Sequence, residues 1–134
     1  MDIKTLLKWW PTALTLAVVL YATWWPDPMC ENTIPLFPGA DKLIHAIMMG
    51  GLAAAAMFDY KRTVVTRGVR LPIRVIGTIA VATAIFSIID EIVQGEMDLG
   101  RTCDFYDILA DWGGITIAAL MAPPVINRIF RIKK

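Results

Sequence analysis

Four apolar stretches, at about Leu6–Trp25, Leu43–Phe58, Leu71–Val93 and Phe105–Ile126, are separated by short polar segments. Each is close to the ~20 residues an α-helix uses to cross ~30 Å of hydrocarbon. With its polar first turn included, the second runs over about 41–59. The first stretch carries Trp9 and Trp10 at one end and Trp24 and Trp25 at the other, as in two interfacial aromatic belts, and then stops at Pro26 and Pro28. It is longer than a signal-peptide core and no small-residue cleavage site follows, so it reads as a retained span. The pattern predicts an all-α membrane protein, a bundle of four transmembrane helices (spans 6–25, 41–59, 71–93 and 105–126) in one domain over 1–134.

Composition supports a bilayer as the solvent. Residues AVILMFWYC make up 57% of the chain and charged residues 19%, and the mean hydropathy is +0.58. Counting Gly and leaving out Tyr gives about 61% apolar, where globular proteins sit near 45–50%. A soluble domain of this length cannot hide that much apolar surface. A soluble enzyme, a disordered tail and a nucleic-acid partner are therefore excluded, and the lipid bilayer is the first partner.

The net charge of +1 says little, but its distribution is informative. With the N-terminus in the cytoplasm, eleven basic residues fall inside (Lys4, Lys8, Lys61, Arg62, Arg67, Arg70, Arg74, Arg128, Arg131, Lys133 and Lys134), and only Lys42 and Arg101 fall outside. The positive-inside rule then predicts that both termini are cytoplasmic. The acids do the reverse: of the twelve, only Asp2 and Asp59 fall inside and ten lie outside. Orientation does not require that asymmetry, because carboxylates contribute little to it.

Read from the cytoplasmic side, the uninterrupted apolar runs of spans two to four are Ala46–Phe58, Val75–Ile89 and Trp112–Ile126. At 1.5 Å per residue these reach only about 20–23 Å, so the outer turns of three helices must be polar and line a shared bowl. Ionisable residues at that depth face the bundle interior and mark function. Asp41 and His45 are one turn apart, Asp104, Asp107 and Asp111 share a face, and Asp90, Glu91 and Gln94 close span three. Asp41 and Asp107 lie near helix N-termini, where an acid is favoured; Asp90 and Glu91 lie at a C-terminus, where it is not. Six carboxylates face two fixed cations, Lys42 and Arg101. Protons, a divalent cation or a cationic ligand group can remove the deficit.

His45, Glu91 and Asp90 are accordingly the candidate acid–base, catalytic residues. Asp41, Lys42, Gln94, Arg101, Asp104, Asp107 and Asp111 are candidate ligand-binding residues, the two cations for an anionic group. Candidate metal ligands are Asp41, His45, Glu91, Asp104 and Asp107, a mixed oxygen and imidazole set that suits Mg, Ca, Mn or Zn. No HExxH, CxxC or phosphatase-like signature narrows the choice.

The order Asp41-Lys42-Leu43-Ile44-His45, Glu91-Ile92-Val93-Gln94, Arg101-Thr102-Cys103-Asp104-Phe105-Tyr106-Asp107 and Gly114 resembles the DKxxH, ExxQ, RxxDxxD and terminal Gly pattern of the VanZ-like family of bacterial membrane proteins. The likeness covers about Asp41 to Met121 and departs at Asp111, where the family more often has Asn. It implies a four-helix fold in the bacterial cytoplasmic membrane and a site built from Asp41, Lys42, His45, Glu91, Gln94, Arg101, Asp104 and Asp107. For the founding member it implies low-level resistance to the glycopeptide teicoplanin.

Blander roles compete at several positions. His45 can be a structural hydrogen-bond partner, Lys42 and Arg101 plain counter-ions, and the Asp104, Asp107 and Asp111 stripe a hydrated helix start. Cys30 and Cys103 fall in the two outer loops and can pair in an oxidising exterior. Gly50, Gly51, Gly113 and Gly114 are expected to permit close helix approach, and Met48, Met49 and Met57 to fill the core. The leading functional expectation is a cell-envelope protein that binds or modifies a lipid or a lipid-linked cell-wall precursor head group. A non-catalytic interaction protein is the alternative. Ion or proton transport fares worse, because the cytoplasmic halves of the spans show no polar path.

Overall fold

In the computed structural model the described residues are 7–25, 37–97 and 104–131, so Arg101, Cys30 and Cys103 lie outside them. A short 3₁₀ turn, Leu7–Trp9, leads into α1 (Trp10–Trp24), followed by α2 (Ala40–Thr63), α3 (Ile73–Glu96) and α4 (Phe105–Ile129). There is no strand among the described residues. α2, α3 and α4 are each long and apolar enough to cross a membrane. α1 has 15 residues and is shorter.

Local chemistry sets the helix ends. Trp25 precedes Pro26 and is already extended (φ −84°, ψ 139°), since a proline pushes its predecessor out of the helical region. Pro72, at φ −65° and ψ 138°, caps α3, which therefore starts two residues later than the apolar pattern suggests. α2 continues past its apolar run to Thr63, where Lys61 and Arg62 meet the negative end of the helix dipole.

The helices run up and down. α2 and α4 start at one end, here called the acid end, and α3 finishes there; the opposite end is basic. α2 is the central helix, and its most extensive interface is with α4. That pair is close because both helices present glycine at the crossing: a Cβ on Gly50 would meet the Gly114 carbonyl oxygen at 2.7 Å, and one on Gly114 would collide with the Ala46 carbonyl. Gly113 has nothing within 4 Å of such a Cβ and Gly51 only a methyl at 4.0 Å, so two of the four expected glycines make the approach. Met49, Met57, Leu52, Ala53, Ile115 and Ala118 fill the core around this crossing, while Leu14, Val18, Ile85, Ile117 and Leu120 are exposed around the perimeter, as a lipid-facing surface requires.

α1 is tied to the bundle at both ends by buried carboxylates. At the basic end Asp59 of α2 accepts from the Thr12 backbone N–H (2.9 Å), the Thr12 hydroxyl (2.7 Å) and Arg62 Nη2 (2.8 Å). Thr12 is in the first turn of α1, and Trp9, which stands at the helix N-cap, makes no side-chain cap bond. Asp59 therefore caps α1 from a neighbouring helix. Arg62 also donates to the Lys8 carbonyl. Lys61, almost fully buried, donates to the Thr66 and Val69 carbonyls and lies over the Phe130 ring, which closes the loop between α2 and α3.

Candidate functional site

At the acid end the first turns of α2 and α4 and the last turns of α3 meet. Asp104 caps α4 by accepting the Tyr106 N–H at 2.8 Å. Together with the Lys42 ammonium at 3.1 Å, that bond holds the Asp104 carboxyl below the usual carboxylate range. Lys42 spans from α2 to α4, with its Nζ also 3.0 Å from Asp107 Oδ1 and 3.0 Å from Asp41 Oδ2. One ammonium thus serves three carboxylates. It is a bridge between helices, already committed before any ligand arrives.

Beneath this bridge the groups are buried. His45 Nδ1 lies 3.2 Å from Asp111 Oδ1, and the two residues are 8% and 1% exposed. Glu91, 2% exposed, accepts the Asp104 backbone N–H on Oε1 at 2.7 Å, which joins α3 to the start of α4. Its second oxygen, Oε2, is buried and has no hydrogen-bond partner among the described residues. Burying a carboxylate oxygen without a donor costs about 1–3 kcal/mol, so its presence asks for a compensating group. One donor atom each from His45, Glu91 and Asp107 lie within 4.8 Å of one another, a spacing that can hold a metal ion.

The sequence-predicted residues thus separate into two groups. Lys42, His45, Glu91, Asp104, Asp107 and Asp111 share one cluster, with Asp41 at its half-exposed rim. Asp90 and Gln94 turn the other way. Asp90 Oδ1 accepts from Trp24 Nε1 (2.8 Å) and the Thr23 hydroxyl (3.2 Å), and Oδ2 from Gln94 Nε2 (3.3 Å). Three donors answer the unfavourable position of this acid at a helix C-terminus. The two from α1, Thr23 and Trp24, also fasten it to α3 beside Glu91.

A model of the VanZ/LLP1 family matches residues 4–130. The chain belongs to the VanZ/LLP1 family. No curated protein and no solved structure matches it significantly. In this VanZ/LLP1 chain the DKxxH residues supply the ammonium bridge and the imidazole, Glu91 of ExxQ the unpartnered oxygen, and Asp104 and Asp107 the carboxylates that receive Lys42. Gly114 is the position where α4 touches α2, one turn below Asp111.

Sequence reasoning missed Thr12, Thr23, Trp24 and the structural role of Asp59. Threonines in an apolar helix carry no pattern of their own, and the carboxylates they serve lie on other helices. The signal present in the sequence is a polar residue near each end of the otherwise apolar first span, Thr12 at one and Thr23 at the other. A concavity of about 580 Å³ opens at the basic end between Pro123 and Pro124 of α4 and the loop before α3, near Arg70, Arg128 and Arg131. Those arginines have no acidic partner among the described residues and fit attraction to anionic lipid.

The cluster makes a prediction about stability. Replacing Glu91 by Gln keeps the Oε1 acceptor, removes a buried negative charge from an acid-rich site and converts the unpartnered oxygen into a donor. Glu91→Gln should therefore stabilise the chelator-treated protein in detergent by about 1 kcal/mol, read as a higher thermal midpoint by circular dichroism. A lower midpoint would mean that Glu91 is built in for stability.

Proposed function

We propose that this VanZ/LLP1 protein sits in the bacterial cytoplasmic membrane with four spans, both termini inside, and that its acid end opens to the outer leaflet as a site for a lipid or lipid-linked cell-wall precursor head group. The eleven basic residues assigned to the cytoplasmic side support the orientation. One observation carries the functional reading: a buried imidazole and two carboxylates converge within 4.8 Å, with one carboxylate oxygen unpartnered among the described residues. A purely structural cluster has no use for that oxygen.

Within the reading, His45 and Glu91 are the groups that face the head group and would act on it, as an acid–base pair or through an ion they hold. Asp111 orients the imidazole, Asp104 and Lys42 hold Asp107, and Asp90 with Gln94 keeps the end of α3 in place behind Glu91. If the head group belongs to a wall precursor, the protein alters susceptibility to teicoplanin-type glycopeptides, and deletion should shift that susceptibility.

Binding is tested on the protein in detergent by thermal stability with a polyprenyl phosphate, phosphatidylglycerol and diacylglycerol. The expected result is a rise in midpoint with a phosphate-bearing lipid that is lost in His45→Ala and Glu91→Ala. Equal shifts with diacylglycerol, or unchanged shifts in both variants, would remove the reading.

A further inference from the structure

The site is rich in carboxylates, and its one described cation, Lys42, is shared among Asp41, Asp104 and Asp107. A phosphate approaching it meets net negative charge. The arrangement of Glu91, Asp107 and His45 resolves the conflict, because each has two polar atoms and the protein engages one of them. Glu91 Oε1 takes the Asp104 N–H, Asp107 Oδ1 takes Lys42, and His45 Nδ1 takes Asp111. No hydrogen bond among the described residues uses the second atom of any of the three, and for Glu91 that atom is buried.

This is how metal-binding side chains are held: one atom is fixed by an outer partner and the other is left for the ion. The pairing of Asp111 with the imidazole is the carboxylate–histidine arrangement that sets a ligating ring's tautomer and orientation. Oxygen and nitrogen ligands of a Zn²⁺-sized ion lie ~2.0–2.2 Å from it, hence at most ~4.4 Å from one another. The observed spacing, within 4.8 Å, is close to that limit. Two carboxylates and an imidazole suit Zn²⁺ or Mn²⁺ better than the all-oxygen preference of Mg²⁺ or Ca²⁺.

We infer that a divalent cation of the Zn²⁺ or Mn²⁺ type binds to His45, Glu91 and Asp107, with Asp111 as the residue that orients His45, and that an open coordination position of the ion takes a phosphate oxygen of the lipid head group. The five ligand candidates in the sequence narrow to three. Asp104 drops out because both of its oxygens are taken, one by Lys42 and one by the α4 cap, and Asp41 because it stands half-exposed at the rim, outside the group of three. The metal site stands on its own geometry; the bridge to phosphate rests on the head-group reading above.

The test counts metal directly. Protein purified in detergent is stripped with a chelator, dialysed against Zn²⁺ or Mn²⁺, and measured by elemental mass spectrometry, with helix content followed by circular dichroism. The expected result is about one ion per chain, at least tenfold weaker binding in Glu91→Gln and Asp107→Asn, and about 10–100-fold weaker binding in Asp111→Asn, as for loss of an outer partner. Glu96→Gln, on the exposed last turn of α3, should bind as the parent does. A folded parent protein that retains neither ion, or full affinity in Glu91→Gln, overturns the site. Should Glu91→Gln fail to fold, unchanged affinity in Asp111→Asn overturns it instead.

A lipid titration then separates the two claims. Metal retained with no response to a polyprenyl phosphate removes the head-group reading and leaves the metal. A lipid response that persists unchanged under chelator removes the bridge.

Discussion

Gly114→Val should unfold the acid end. The crossing of α2 and α4 puts the Ala46 backbone carbonyl where the first side-chain carbon would go, and a backbone group cannot rotate away. The helices must separate, with a cost of about 3 kcal/mol, the upper end of ordinary overpacking. His45 is one residue before Ala46, and Asp111 is one turn before Gly114, so separation at the crossing also breaks the 3.2 Å contact between them. The expected result is a large fall in thermal midpoint in detergent together with loss of metal retention. Gly113→Ala, with nothing within 4 Å of the new methyl, is the matched control and should leave both unchanged. A Gly114→Val protein as stable as its parent would mean that the two helices are not held at this distance.

Asp59→Ala should release the start of α1. Three hydrogen bonds from Thr12 and Arg62 converge on this fully buried carboxylate, and removing it strands a backbone N–H, a hydroxyl and a guanidinium at once. Breaking a buried ion pair costs ~3–5 kcal/mol; because the Arg62 side chain is 29% exposed and can reach water, about 3 kcal/mol is expected here. Thr12→Val keeps the backbone bond and should cost only about 1 kcal/mol. Limited proteolysis near residues 7–12 and the thermal midpoint read the effect. Equal losses in the two variants would show that the hydroxyl, not the carboxylate, anchors α1.

The architecture was legible because each helix carries its own evidence. Apolar length, the proline stops and the indole pairs are local, and they place the elements to within a few residues, as at Trp25 and Pro72. The acid end was legible for a related reason: three apolar runs fall short on the same side, so polar turns have to meet there. The finer pairing was not legible. Asp90 and Glu91 are adjacent in sequence and equally acidic, yet a helix turns successive side chains by about 100°, so one faces α1 and the other faces α4. Spacing within α3 cannot say which neighbour stands on which side. The same holds for the glycines: Gly113 and Gly114 differ by one step of rotation, and only one of them lies in the crossing.

The solvent, the helices and the set of ionisable residues concentrated toward one end can be read along the chain, since apolar length and charge asymmetry are properties of residue order. Which polar atom is used and which is left over depends on how the helices pack. Glu91 Oε2 is without a partner because the α4 cap supplies one N–H and no second donor, a matter of how three helices lie against one another. Hydrogen bonds between helices depend on rotation and separation to within a few tenths of an ångström, and no pattern along a single strand of residues fixes either.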